Sequence, residues 1–254
     1  MKVNENIAVS TPQILLVPYD AHLVQRYHEW MQDEALREAT ASDLLTLDEE
    51  YENQQSWRTA HDKLTFIVCQ PAVAEAGSED ARSAVSTIHA GEDDAPARMV
   101  GDVNLFLTPC DDDDDDNHEE RDNSKGEGET LGLQGEIDIM IAARENRGKG
   151  LGEAAVRAFL HFLAENLDAV ISEYARGASL SPNEVKLKRL VAKINAGNAG
   201  SIRLFGNLGF RRNGDPNYFN EISMVLLGLP PPTGLGTGLA GYRECLYDRS
   251  RLKK

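Results

Sequence analysis

The chain has 254 residues, 41% of them apolar, and a net charge of −16, enough for one large domain or two small ones built on a real core. The charge is uneven: residues 71–98 hold six acids against two bases, residues 111–130 hold eleven against two, and the rest of the chain sums to −3. There is no basic stripe to suggest nucleic acid, no apolar run that approaches a membrane span, and no signal-peptide core in the polar residues 1–10.

In chain order, residues 1–12 read as a flexible N-terminus and residues 14–17 as a first strand. Helical patterns follow at about 21–33 and 47–61, and residues 65–70 form a second strand. The Ala-, Ser-, Glu- and Asp-rich residues 71–98 read as a disordered insertion. Residues 99–107 form a third strand, and a second disordered acidic insertion spans 111–130. Two strands joined by a loop tolerate such lengthening because closure cost grows slowly with length. Strand four covers 136–142, a helix 150–167, a loop insertion 172–185, strand five 187–194, a further helix 198–208 and a last strand 219–227. The tail 228–254 carries Pro230-Pro231-Pro232 and then Gly234, Gly236 and Gly238, opens no apolar helix and reads as a flexible linker.

The most informative stretch is Arg147-Gly148-Lys149-Gly150-Leu151-Gly152, between strand four and its helix. Glycines reach φ > 0 and let a ligand approach the backbone, while the first N–H groups of a helix attract anions. Lys149 is followed by Gly150, so this is no Walker loop, and the glycine spacing is not that of a dinucleotide fingerprint. Arg147 and Lys149 add mobile positive charge; the same residues also make a plain turn. The pattern Arg-x-x-Gly-x-Gly resembles the pyrophosphate loop of the GNAT superfamily of acetyl-coenzyme A-dependent N-acetyltransferases.

A second signature follows strand five: Asn195, Asn198, Ser201, Ile202, Leu204, Phe205, Leu208, Gly209 and Phe210. Ile202, Phe205 and Leu208 share one helical face and Gly209 ends the helix. Strand, Asn, short helix and Leu-Gly-Phe resemble the second GNAT element. Tyr27-His28-Glu29-Trp30-Met31, Leu45-Thr46-Leu47, Glu50-Tyr51, Ser56-Trp57, Thr65-Phe66-Ile67-Val68, the run from Met99 to Leu107 and Gly135-Glu136-Ile137 look like the N-acetyltransferase 9-like family. The resemblance covers residues 13–227. It implies an α/β GNAT domain with a mixed, mostly antiparallel sheet, splayed between strands four and five and flanked by helices. It further implies acetyl-CoA as co-substrate and a protein or peptide amine as acceptor.

Acetyl transfer to an amine needs a held donor, a neutral amine and a proton for the leaving thiolate. The resemblance implies that backbone groups from Arg147 to Gly152 hold the pyrophosphate and that main-chain groups of Ile139, Met140 and Ile141 hold the pantetheine arm. Free N–H groups there also stabilise an oxyanion. At pH 7 neutralising a lysine costs about 4.6 kcal/mol against about 1 to 1.4 for an α-amine, which favours an N-terminal acceptor. Glu136 is the first candidate base and Asp138 the next; with Met140 they alternate to one face of strand four, and both acids also simply solvate a strand end.

Asn198 resembles a cofactor-contacting Asn and is also a good helix N-cap. Phe205 falls where many relatives carry a Tyr close to the thioester sulfur, and it has no proton to give. Either water protonates the thiolate or the thiolate leaves as it is; the departure also admits a weak or inactive acetyl-CoA-binding scaffold. Fold alone leaves a small-molecule amine acetyltransferase open. Tyr27 and His28 either touch the acceptor or pack. The other histidines, at 22, 61, 89, 118 and 161, show no ligand spacing, and Cys69, Cys110 and Cys245 form no metal or disulfide pattern, so no metal is expected. No cysteine lies close to either motif, which implies direct attack in a ternary complex. The cysteines fit a reducing compartment, the cytoplasm or the nucleus.

Overall fold

The computed structural model describes residues 1–71, 87–110, 130–229 and 239–252. Strands Ile7–Ser10 (β1) and Leu15–Pro18 (β2) precede helices Val24–Met31 (α1), Glu34–Thr40 (α2) and Leu47–Thr59 (α3). Thr46 starts α3 with a reciprocal cap: Glu49 N–H donates to Thr46 Oγ1 at 3.3 Å, and Thr46 N–H donates to the Glu49 carboxylate at 2.7 Å. Such a cap contributes about 1 kcal/mol and sets where the helix begins. Strands Lys63–Cys69 (β3), Thr87–His89 (β4), Met99–Pro109 (β5) and Leu131–Ile141 (β6) lead to helices Leu151–Glu165 (α4) and Leu167–Gly177 (α5). Val185–Asn195 (β7), Ala199–Asn207 (α6), Arg211–Asn213 (β8), Glu221–Leu227 (β9) and Arg243–Asp248 (β10) complete the order.

The ten strands form one sheet in the order β4-β10-β1-β2-β3-β5-β6-β7-β9-β8. Among the described residues only β10 with β4 and β6 with β7 pair in parallel, so the sheet is mixed and mostly antiparallel. Side-chain alternation sends Leu64, Phe66 and Val68 of β3 and Val103 and Leu105 of β5 into one core with α4 and α5. There Phe66 meets Phe162 edge-on at 5.1 Å and Phe159 at 6.1 Å. Ile67 and Cys69 of β3 and Met140 of β6 join a second core with Trp30 and Met31 of α1. Burial on both faces explains why the central strands read as continuous apolar runs.

Three expectations change. Residues 1–12 were expected to be flexible, but Ile7–Ser10 pairs with β2 and, through Ile7↔Leu246 to Ser10↔Arg243, with β10. That partner lies in the supposedly flexible tail 228–254, where Cys245 and Tyr247 are buried; residues 230–238, with the Pro and Gly runs, lie outside the described residues. Each strand is too short to announce itself, and β10 finds its partners only in distant parts of the chain. The insertion 71–98 ends in structure. Thr87–His89 is a strand, and the fully buried Asp94 accepts hydrogen bonds from Tyr247 Oη and from Gly91 N–H (2.5 Å). His22 Nε2 lies 3.1 Å from Asp94 Oδ2, the oxygen that Tyr247 also meets. Residues 72–86 and 111–129 lie outside the described residues. The loop expected at 172–185 is helical to Gly177, because Val170, Ile171, Tyr174 and Ala175 bury one face of α5.

Candidate active site

Strands β6 and β7 pair from Leu131↔Val185 to Glu136↔Val191 and then part. Beyond that point Ile137–Ile141 stays on β5, while Ala192–Asn195 stays on β9. The result is the expected splay, a fork with one free edge of β6. Ala142 N–H donates to Val100 O at 2.9 Å. Antiparallel alternation then turns the peptide groups of Met140 toward β5 and those of Ile137, Ile139 and Ile141 toward the fork. Of the three residues expected to offer main-chain bonds, Ile139 and Ile141 face the opening and Met140 does not.

The glycine turn closes one end of the fork. Gly148 and Gly150 have φ of 72° and 79°, in the left-handed region where glycine is strongly favoured, and a Cβ on either would meet no other atom within 4 Å. The glycines serve backbone conformation and leave an open cradle. Helix α4 starts at Leu151 with Ala154 N–H bonded to Gly150 O at 3.0 Å, so the N–H groups of Leu151, Gly152 and Glu153 have no acceptor in the helix. Lys149 is exposed beside them. A pyrophosphate fits this geometry: open backbone donors, a helix N-terminus and a mobile cation.

Arg147 behaves differently from its expected role as mobile charge. Its Nε donates to Ile141 O and its Nη2 to Ala142 O, both at 2.9 Å, so its side chain ties the turn to the end of β6. Glu153, an acid in the first turn of α4, is held by Arg157 at 3.0 Å and by Asn207 Nδ2 at 3.2 Å; these hydrogen bonds lower its carboxyl pKa. Asn198 caps α6, its Oδ1 accepting from Ser201 N–H at 3.1 Å. Phe205 is buried in the core, edge-on to Phe210 at 5.0 Å.

The acids gather on the α1-facing side. Glu136 Oε2 lies 2.7 Å from Lys193 Nζ across the fork. Asp138 sits opposite Asn104 in the ladder. Solvent reaches Asp138, while protein closes in on its other sides. That burial, then Glu136 and Asp102, push its carboxyl up to about 7, with Lys193 pulling the other way. Asp102, opposite Met140, is buried; its Oδ2 accepts from Asn104 Nδ2 at 2.8 Å and from Tyr27 Oη at 3.2 Å. Burial raises Asp102 to about 6. Tyr27 therefore faces Asp102 and packs, with tilted rings, between Tyr19 and Trp30, and His28 meets Gln32. Sequence reasoning missed Asp102 and Lys193; the signal for Asp102 was a carboxylate inside the apolar run of β5. Among the described residues no group of three or more His, Cys, Asp or Glu is placed to hold a metal ion, and no helix is long and apolar enough to cross a membrane.

A forked mixed sheet with a glycine turn and a helix N-terminus at the fork defines the α/β class of this chain. The model of the acetyltransferase (GNAT) domain family matches residues 13–211. A spermidine N-acetyltransferase from Vibrio cholerae, solved with CoA and spermine, has the same fold, with a TM-score of 0.53 at 14% identity over 85% of this chain and 96% of that one. The chain is 38% identical to an N-acetyltransferase 9-like protein of Schizosaccharomyces pombe over 89% of its length and 99% of the relative's. It is 36% identical to the human alpha/beta-tubulin-N-acetyltransferase 9 over 89% of this chain and 86% of that one. The chain belongs to the GNAT acetyltransferases, in the branch of N-acetyltransferase 9-like proteins, and is an acetyltransferase enzyme.

Proposed function

We propose that this enzyme moves an acetyl group from acetyl-CoA to a protein amine by direct attack in a ternary complex, with Asp138 as general base. The observation that carries the reading is the fork: beyond Glu136 the β6 edge is not paired with β7, and its groups at Ile139 and the N–H of Ile141 face the opening between the glycine turn and Asp138, while Ile141 O is taken by Arg147. Bound acetyl-CoA supplies the acetyl group as a thioester. The turn from Arg147 to Gly152 would hold its pyrophosphate, and the β6 edge would hold the amides of its arm. Asn198, which caps the neighbouring helix, would contact the cofactor from that helix's N-terminus.

Glu136 was the first candidate base, but its ion pair with Lys193 favours Asp138 for the role. A group with a pKa of about 7 accepts a proton from an α-ammonium at a cost of about 1 to 1.4 kcal/mol, and from a lysine at about 4.6. This supports an N-terminal α-amine over lysine. The relatives named as alpha/beta-tubulin N-acetyltransferases make tubulin the first acceptor to test, which fits an enzyme of the cytoplasm or nucleus.

Calorimetry with acetyl-CoA, together with thiol release on a library of peptide N-termini and lysines, tests the reading. Binding with turnover on free N-termini is expected, and absence of acetyl-CoA binding overturns it. A second reading, an acetyl-CoA-binding scaffold of weak or no activity, is favoured by Phe205, which has no hydroxyl to protonate a thiolate. Binding without turnover on any tubulin or library peptide would select it.

A further inference from the structure

Asn104 of β5 lies directly opposite Asp138 in the ladder and shares its α1-facing side, since Val103 and Leu105 on either side of it turn into the core with α4. It is 5% exposed. One end of its amide is fixed: Nδ2 donates to Asp102 Oδ2 at 2.8 Å. Tyr27 Oη donates to the same oxygen at 3.2 Å, so α1 holds Asp102 in turn. An ionised carboxylate only accepts, so the amide must turn its nitrogen to Asp102 and keep its oxygen for another donor. That oxygen, Asn104 Oδ1, is buried and has no hydrogen-bond partner among the described residues. Thr65, opposite Asn104 on the β3 side, does not supply one; its Oγ1 has no partner either.

A buried acceptor without a donor is costly, so one that persists calls for an explanation. Asp138 is the neighbour on the β6 side. Ionised, it has no hydrogen to give; once it has taken a proton, it has one. The other groups that act on Asp138 are Glu136 on β6, which is paired with Lys193 of β7, Asp102 on β5 and Glu221 on β9. Tyr27 of α1 faces Asp102, and Glu50 of α3 acts on Tyr27. None of these offers the protonated carboxyl a neutral acceptor, and the Asn104 amide does.

Resting on the reading of Asp138 as base, we infer that Asn104 is a positioning residue: its Oδ1 accepts the hydrogen of the protonated Asp138 carboxyl, and Asp102 with Tyr27 keeps the amide turned that way. One proton moves. An N–H bond of the acceptor ammonium breaks, an O–H bond forms on Asp138, and that O–H donates to Asn104. The contact exists only after the transfer, so it favours the transfer itself.

The test is carbon NMR of protein labelled at the aspartate and asparagine side-chain carbonyl carbons, titrated from about pH 5 to about pH 9, with Asp138→Asn identifying the Asp138 signal. In wild type the Asn104 amide carbon should titrate with the same midpoint as the Asp138 carboxyl, and it should stop doing so in Asp138→Asn. Asn104→Leu keeps the position buried and removes the acceptor, so the Asp138 midpoint should fall by roughly one unit. Packing alone predicts the reverse, because a more apolar neighbour raises a carboxyl pKa. The fall should persist in an Asp102→Asn background, where the Asp102 charge is absent. An Asn104 signal that stays still through the Asp138 titration would overturn the inference. So would a midpoint that holds or rises in Asn104→Leu, or a fall that vanishes in the Asp102→Asn background. None of these measurements needs turnover; wild type whose kcat ignores the Asp138 midpoint would instead overturn the base reading beneath the inference.

Discussion

Glu136 on β6 and Lys193 on β7 meet at 2.7 Å just where their strands stop pairing, so one ion pair spans the mouth of the fork. The pair occupies one carboxylate of the acidic face and leaves Asp138, two residues along, without that cation as a direct partner. Half-exposed pairs contribute little stability, about 0–1 kcal/mol; the consequence of this one is electrostatic. Lys193→Met should move the acidic limb of the pH–kcat profile upward by roughly half a unit to one unit, because a cation that lowers the Asp138 pKa is removed. Melting temperature should hardly change.

Asp138→Asn should reduce kcat by roughly 10²- to 10³-fold while acetyl-CoA affinity measured by calorimetry stays within twofold. Glu136→Gln should cost less than about tenfold. Equal losses for the two, or a larger loss for Glu136→Gln, would move the base back to Glu136.

Wild-type kcat should rise with pH through about 7, the carboxyl pKa of Asp138, since a base acts only when deprotonated. Asp102→Asn removes a neighbouring negative charge and should shift that limb downward. The same variant predicts a stability change. Asp102 titrates at about 6 in the fold against an ordinary 3.8, so the folded state binds more protons between these values and loses stability as pH rises through them. Asn at this position should therefore stabilise the protein by on the order of 2–3 kcal/mol at pH 8 and leave it unchanged below pH 4, as read by denaturant titration at both pH values.

Gly150→Ala places a side chain at φ of 79°, which costs about 1–2 kcal/mol in stability. Acetyl-CoA Kd should rise at least tenfold as the backbone donors shift. Lys149→Ala should weaken binding less, and the difference from wild type should fade at high salt because an exposed charge is screened.

Tyr247→Ala should destabilise the fold by about 3–5 kcal/mol, since the ring is 2% exposed and its hydroxyl bonds the buried Asp94. Tyr247→Phe leaves the packing and should cost less. A near-neutral Tyr247→Ala in thermal melts would mean that β10 is dispensable.

The sequence by itself determined what depends on neighbours along the chain. The turn at Gly148 and Gly150, the Asn198 cap and the two-face alternation of β6 are local geometry, and local geometry is legible in residue order. Tertiary structure decided what depends on distant partners. Strand β1 finds β10 more than two hundred residues away, and Asp94 is buried only because Tyr247 and His22 converge on it. Helix α5 was expected as loop from residue 172; its Val170, Ile171, Tyr174 and Ala175 bury one face against the core. The raised pKa of Asp138 was not legible at all. Glu136 and Asp138 share one face of one strand; what separates them is Lys193 on one side and buried Asp102 on the other, brought in by β7 and β5. Residue order supplies the carboxylates, while burial and through-space charge, set only by packing, raise the pKa of Asp138.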